Sequence, residues 1–289
     1  MSRSYLFVPA DSERKMQKAG GVAADALILD LEDSVAAEAR PAARQLAAEY
    51  LQGRDNVWVR INPIVSDDAV PDLEVVMPSS PIGIILPKPR SAEDAVALAR
   101  HLDKLEKQHG IEPGSTKIMA LCTEHPAALF SLDSYIGATS RLDGLSWGAE
   151  DLAAAVGGNA NRDENGDWLP QYELARSLCL FAAAAAEVAA VDTVYTDFRD
   201  LEGLLRYATK ARRDGFSGML AIHPAQVDVI NAAFEPTVEE LEYAERIIRL
   251  FDESPGAGTV GLDGKMIDRP HLVQAQRLLR ANRIKTHKG

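Results

Sequence analysis

Glu124 follows the aliphatic run Lys117 to Leu121, and Asp151 follows the run Gly144 to Trp147. If both runs are neighbouring parallel strands, the two carboxylates converge. Oxygen-only ligation suits a hard divalent ion such as Mg²⁺, with Mn²⁺ as the alternative, and two solvated carboxylates are the plain reading. Arg60 closes the run Val57-Trp58-Val59, where a guanidinium held on a strand offers a two-pronged grip for a substrate carboxylate. The competing assignment is an ion pair with Asp30 or Glu32. Leu29-Asp30-Leu31-Glu32-Asp33 crowds three acids together, and on an extended strand Asp30 and Glu32 face the same side, so an arginine or a cation must compensate. Lys88, between Pro87 and Pro89, is either a Schiff-base nucleophile or, preferably, a charge for a phosphate or carboxylate. His223 before Pro224 is a base or a hydrogen-bonded structural residue. Arg14, Lys15 and Lys18 share one segment and either meet phosphates or form a solvated face.

These residues need a frame that brings them together. Short aliphatic runs at Tyr5–Val8, Ala26–Leu31, Val57–Ile61, Gly83–Leu86, Lys117–Leu121, Gly144–Trp147, Thr193–Tyr195 and Met219–Ile222 read as strands. Between them, helical periodicity marks residues 11–20, 36–52, 91–109, 125–137, 171–190, 199–214 and 224–234, with a short or irregular helix between 61 and 83. Ser12 and Ser91 are candidate N-caps. Eight such units predict an α/β fold, a (β/α)8 TIM barrel over residues 1–234, whose chemistry sits at the carboxyl ends of the strands. An open doubly wound sheet is disfavoured, because no glycine-rich nucleotide turn follows the first strand. Residues 235–289 form a C-terminal helical arm: a helix at 237–252 opened by Thr237 and Glu240, a glycine-rich connector at 254–264, and a last helix at 270–283.

Composition narrows the function classes. The chain has 289 residues, of which 46% are hydrophobic, enough for a sizeable core. Its 31 basic against 43 acidic residues give a net charge of -12, which argues against nucleic acid as a partner. Cys122 and Cys179 alone support neither a disulfide framework nor a cysteine metal cluster, so a cytoplasmic location is expected. No apolar run reaches membrane-spanning length, and no membrane partner is expected.

The order and spacing of Ser4-Tyr5-Leu6-Phe7-Val8-Pro9, Leu29-Asp30-Leu31-Glu32-Asp33-Ser34-Val35, Val59-Arg60-Ile61-Asn62, Leu86-Pro87-Lys88, Gly148-Ala149-Glu150-Asp151-Leu152, Val194-Tyr195-Thr196-Asp197, Ala221-Ile222-His223-Pro224 and Asp263-Gly264-Lys265-Met266-Ile267-Asp268 resemble the citrate lyase β-subunit-like branch of the HpcH/HpaI aldolase family. The resemblance implies Mg²⁺-dependent lysis or formation of a carbon–carbon bond in a CoA thioester of citramalyl or malyl type. It maps the metal carboxylates to Glu124 and Asp151, the carboxylate-binding arginine to Arg60, and an aspartate presented by an adjacent subunit of a homo-oligomer, a trimer or hexamer, to Asp268. On this pattern Asp268 moves the proton, Glu32 or Asp33 holds metal waters, and Arg14, Lys15 and Lys18 meet the CoA phosphates. Ala10 replaces a frequent glycine, and His125-Pro126 replaces a threonine and a small residue, departures that bear on acyl specificity. Two alternatives remain: a citrate lyase β subunit working on a carrier-bound citryl thioester, and a non-catalytic barrel that binds an acyl-CoA or organic acid.

Overall fold

A computed structural model describes residues 2–286, with side chains through residue 280. It divides into two compact units, Ser2–Phe234 and the segment from Glu235 onward. In the first unit eight parallel strands close into a barrel: β1 (Ser4–Pro9), β2 (Ala26–Asp30), β3 (Val57–Arg60), β4 (Gly83–Leu86), β5 (Lys117–Leu121), β6 (Leu142–Ser146), β7 (Ala189–Asp192) and β8 (Gly218–Ala221). Helices α1 (Glu13–Ala19), α2 (Arg40–Leu51), α3 (Ala69–Val76), α4 (Ala92–His109), α5 (Ala149–Val156), α6 (Pro170–Ala185), α7 (Leu201–Asp214) and α8 (Val227–Ala233) connect successive strands or follow the last. The connection after β5 is a 3-10 helix, Pro126–Tyr135.

Alternation along each strand sorts the side chains. Tyr5, Ile28, Trp58, Ile85, Met119, Leu121, Val191 and Leu220 fill the lumen, while the alternate positions join the larger apolar layer between sheet and helices. Asp30 lies two residues beyond Ile28 and Arg60 two beyond Trp58. The same parity therefore turns both charged groups to the lumen side at the carboxyl end, where they are partners in register across β2 and β3.

Several expected elements shift, each for a physical reason. The seventh strand is Ala189–Asp192 rather than Thr193–Tyr195, and α6 stops at Ala185 instead of running to 190. Alanine favours helices in isolation, but a strand flanked by β6 and β8 and buried on both faces accommodates small side chains well. Ser12 stands at the N-cap of α1, yet its hydroxyl accepts no cap bond, whereas Ser91 accepts from Glu93 N–H at 3.2 Å.

The second unit contains α9 (Val238–Asp252), opened by a reciprocal Thr237 and Glu240 capping box, and α10 (Arg269–Thr286). Between them the expected flexible connector is in fact an antiparallel hairpin, β9 (Thr259–Leu262) and β10 (Lys265–Asp268). Its two-residue turn, Asp263-Gly264, has positive φ at both positions (51° and 75°), the primed turn for which an Asp-Gly pair is suited. Among the described residues no helix is long and apolar enough to cross a membrane.

Candidate active site

The barrel fixes Arg60 through carboxylates of β2 and of the loop after it. Its Nε and one Nη donate to the two oxygens of Asp30, both at 2.7 Å, and the other Nη lies 2.9 Å from Glu32 Oε2. Phe7 lies beneath the guanidinium, 4.8 Å from its ring centre. Burial works against ionisation of Asp30, but the Arg60 hydrogen bonds outweigh it and hold the carboxyl below its ordinary range. The ion-pair reading of Arg60 is therefore realised. It also leaves two of the five guanidinium N–H groups unused by these close contacts, enough for a further carboxylate.

Glu124, Asp151, Glu32, Asp33 and Lys88 come from four different strand ends and meet beside Arg60. Lys88 Nζ lies 2.7 Å from Glu32 Oε1, 2.9 Å from Asp33 Oδ1 and 3.3 Å from Asp151 Oδ1. Its main-chain N–H donates to Glu124 Oε2 at 2.7 Å. Glu124 is buried, and burial first, then the charges of Asp151 and Glu32, push its carboxyl well above the usual range. Burial likewise raises Glu32 to about 7, against the pull of Arg60 and Lys88. Gly148, which opens α5, packs directly on Glu124.

This donor set fits a hard divalent ion. Glu124 and Asp151 repel each other across a site where, among the described residues, the Glu124 carboxylate has a single hydrogen bond, and a dication relieves that repulsion. Among the described residues no group of three or more His, Cys, Asp and Glu side chains is placed to hold a metal ion. Magnesium does not need one, because it is commonly held by one or two protein carboxylates with water and substrate completing the shell.

Arg14, Lys15 and Lys18 line a cavity of about 510 Å³ with Phe7, Pro9 and His223, between α1 and the carboxyl ends of β1 and β8. His223 is not a free base: its Nδ1 accepts from Ala225 N–H at 3.1 Å, and its ring stacks on Phe198 with centres 4.8 Å apart. Asp268 belongs to the second unit, where His271 Nδ1 lies 2.5 Å from its Oδ1 and holds its carboxyl below the ordinary range. Sequence reasoning did not single out Asp192. This buried carboxylate accepts from Trp147 Nε1 (2.6 Å), Arg176 Nη2 (2.8 Å) and Tyr207 Oη (3.1 Å), tying together the wall from which Gly148 and Asp151 emerge.

A ring of carboxylates and cations at the carboxyl end of a closed parallel barrel has the layout of the (β/α)8 barrel enzymes. The HpcH/HpaI aldolase/citrate lyase family model matches residues 3–224, and the chain belongs to that family. It is 34% identical over 285 residues to the citrate lyase subunit beta of Haemophilus influenzae, covering 96% of both chains. To the (3S)-malyl-CoA thioesterase of Cereibacter sphaeroides it is 34% identical over 283 residues, covering 96% of this chain and 93% of the other. The CitE protein of Mycobacterium tuberculosis, solved in complex with magnesium, acetoacetate and coenzyme A, superposes with a TM-score of 0.80 at 32% identity, covering 96% and 97% of the two chains.

Proposed function

We propose that the protein is a Mg²⁺-dependent carbon–carbon lyase that cleaves a citramalyl-CoA or malyl-CoA type thioester to acetyl-CoA and a 2-keto acid or glyoxylate. The observation that carries this reading is the pairing of Glu124 and Asp151, two repelling carboxylates, beside an Arg60 with guanidinium hydrogens to spare. Magnesium complexed with the CitE protein in a related structure supports the choice of ion. When bound by Glu124 and Asp151, Mg²⁺ supplies an electrophile for the hydroxyl or keto oxygen of the substrate.

The residues of the chain supply the rest. Arg60, aligned by Asp30 and Phe7, holds the substrate carboxylate through its remaining N–H groups. Retro-Claisen cleavage must remove the substrate hydroxyl proton, and Asp268, kept ionised by His271, is the base; the carbon–carbon bond then breaks to give the 2-keto acid or glyoxylate and the acetyl-CoA enolate, which takes that proton at carbon. It acts in the site of a neighbouring subunit of a homo-oligomer. Glu32 and Asp33 would position water beside an ion held by Glu124 and Asp151. Arg14, Lys15 and Lys18 bind the CoA phosphates at the cavity between α1 and β8, and among the described residues none of the three is committed to an ion pair.

The test is direct. Purified protein with Mg²⁺ and citramalyl-CoA or malyl-CoA should yield acetyl-CoA plus pyruvate or glyoxylate, and chelator should stop it. Cleavage only of a carrier-bound citryl thioester points instead to a citrate lyase subunit, and release of free CoA thiol without acetyl-CoA to a thioesterase. Binding of the thioesters with no product from any of them returns the chain to a non-catalytic barrel.

A further inference from the structure

Lys88 makes more contacts to the carboxylate ring than any substrate-binding role requires. It sits between two prolines with a positive φ of 52°, a left-handed conformation that a side-chain-bearing residue adopts at a cost. That conformation goes with a main-chain N–H directed at Glu124 Oε2, 2.7 Å away. The ammonium meanwhile lies within 3.3 Å of Glu32, Asp33 and Asp151, three carboxylates for its three protons. One residue thus touches both proposed metal ligands, Glu124 through the backbone and Asp151 through the side chain. Arg60 cannot share this duty, since its nearest contacts are Asp30 and Glu32.

From this geometry we infer that Lys88 is an internal counter-ion for the metal site: its ammonium holds the carboxylate ring together before a divalent ion arrives and gives up Asp151 when one binds. The inference rests on the assignment of Glu124 and Asp151 as metal ligands. It makes Lys88 a positioning residue whose charge sets how tightly the site takes its ion, because a cation beside Asp151 opposes a second cation there. The backbone contact to Glu124 persists whatever the side chain, so substituting the side chain isolates the charge.

The experiment uses full-length, chelator-stripped protein titrated with MgCl₂ by calorimetry, together with thermal unfolding in EDTA. Lys88→Met is expected to bind Mg²⁺ roughly tenfold more tightly than wild type and to unfold at a lower temperature in EDTA, and Lys88→Arg should restore the unfolding temperature. Unchanged or weaker Mg²⁺ binding by Lys88→Met, or an unchanged unfolding temperature in EDTA, overturns the inference while leaving the metal assignment intact. Wild-type protein that binds no Mg²⁺ overturns both. Should Lys88→Met fail to fold, reductive methylation of wild type followed by mass spectrometry decides: Lys88 is expected to label faster in saturating Mg²⁺ than in EDTA, and equal or slower labelling refutes its release.

Discussion

Replacing Gly148 by alanine adds one methyl group at the point where α5 begins, and the structure says what that methyl meets. A Cβ at Gly148 lies 2.5 Å from Glu124 Cγ and 2.8 Å from Glu124 Oε1. Ordinary carbon–carbon contact needs about 3.5–4.0 Å, so Glu124 must retreat by about 1 Å. The backbone at Gly148 (φ -117°, ψ 107°) is open to any residue, so the effect comes from crowding and not from main-chain strain. Glu124 has little room to yield, being buried and bonded to Lys88 N–H. A displacement of about 1 Å in a group that positions the reaction typically lowers turnover about 100-fold, and overpacking of this size destabilises by about 1–3 kcal/mol. Gly148→Ala is therefore expected to lose about two orders of magnitude in kcat/KM for the thioester and to bind Mg²⁺ more weakly in calorimetry, with its far-UV circular dichroism unchanged. Activity and Mg²⁺ affinity both within threefold of wild type would refute the placement of Glu124 at the reacting centre.

Asp30→Ala removes the two-pronged partner of a partly buried arginine and leaves it Glu32, so the protein should lose about 1.5–3 kcal/mol in denaturant unfolding and show a raised KM; an unchanged midpoint would mean that Glu32 alone holds Arg60 as well. Glu32 is raised from 4.5 to about 7, so the stability it contributes is fully present below about pH 4.5 and is lost as pH rises through 7. Glu32 should lower the unfolding temperature of metal-free protein across that window by the equivalent of roughly 3 kcal/mol, and Glu32→Gln should remove that share of the fall, leaving what Glu124 contributes. Mixing Asp268→Asn and Asp151→Asn chains, each inactive alone, should restore about a quarter of wild-type activity after co-refolding if Asp268 serves a neighbour's site, because only a site joining an intact barrel to an intact arm turns over. No recovery in an oligomer shown to be mixed would place both residues in one subunit's site.

Strand ends were more legible in the sequence than strand bounds. The lumen-side placement of Asp30 and Arg60 follows from a period of two after Ile28 and Trp58, which any extended segment must obey. The rim placement of Glu124 and Asp151 was legible for a related reason, since they stand three and four residues beyond the aliphatic runs that end at Leu121 and Trp147. What escaped were features set by partners far away in the chain. Ala189 and Ala190 form a strand only because β6 and β8 enclose them, and local propensity favours the opposite. Asp192 gains its role from Trp147, Arg176 and Tyr207, none of them within 14 residues of it in the chain, so no local pattern marks it. The hairpin at Asp263-Gly264 did carry a local signal, an Asp-Gly pair flanked by Val260, Leu262 and Ile267, which the surrounding glycines obscured. The left-handed backbone of Lys88 had none, because proline on both sides constrains its neighbours without dictating φ > 0.

The net charge of -12 acquires a local meaning at the rim. Five carboxyl groups, from Asp30, Glu32, Asp33, Glu124 and Asp151, face two cations there, Arg60 and Lys88. Asp30 alone takes two of the guanidinium protons, and the ammonium is shared among three carboxylates. Such a rim repels an anionic thioester unless further positive charge enters. Protonation offers one partial route, since Glu32 and Glu124 are both raised, but a neutral Glu124 is a poor ligand and gives no electrophile. A dication offers the other: it removes the repulsion between Glu124 and Asp151, frees Lys88 from Asp151, and brings the rim close to neutral beside the unspent N–H groups of Arg60. The acidity of this site is thus matched to a metal first and to the anionic substrate only through it.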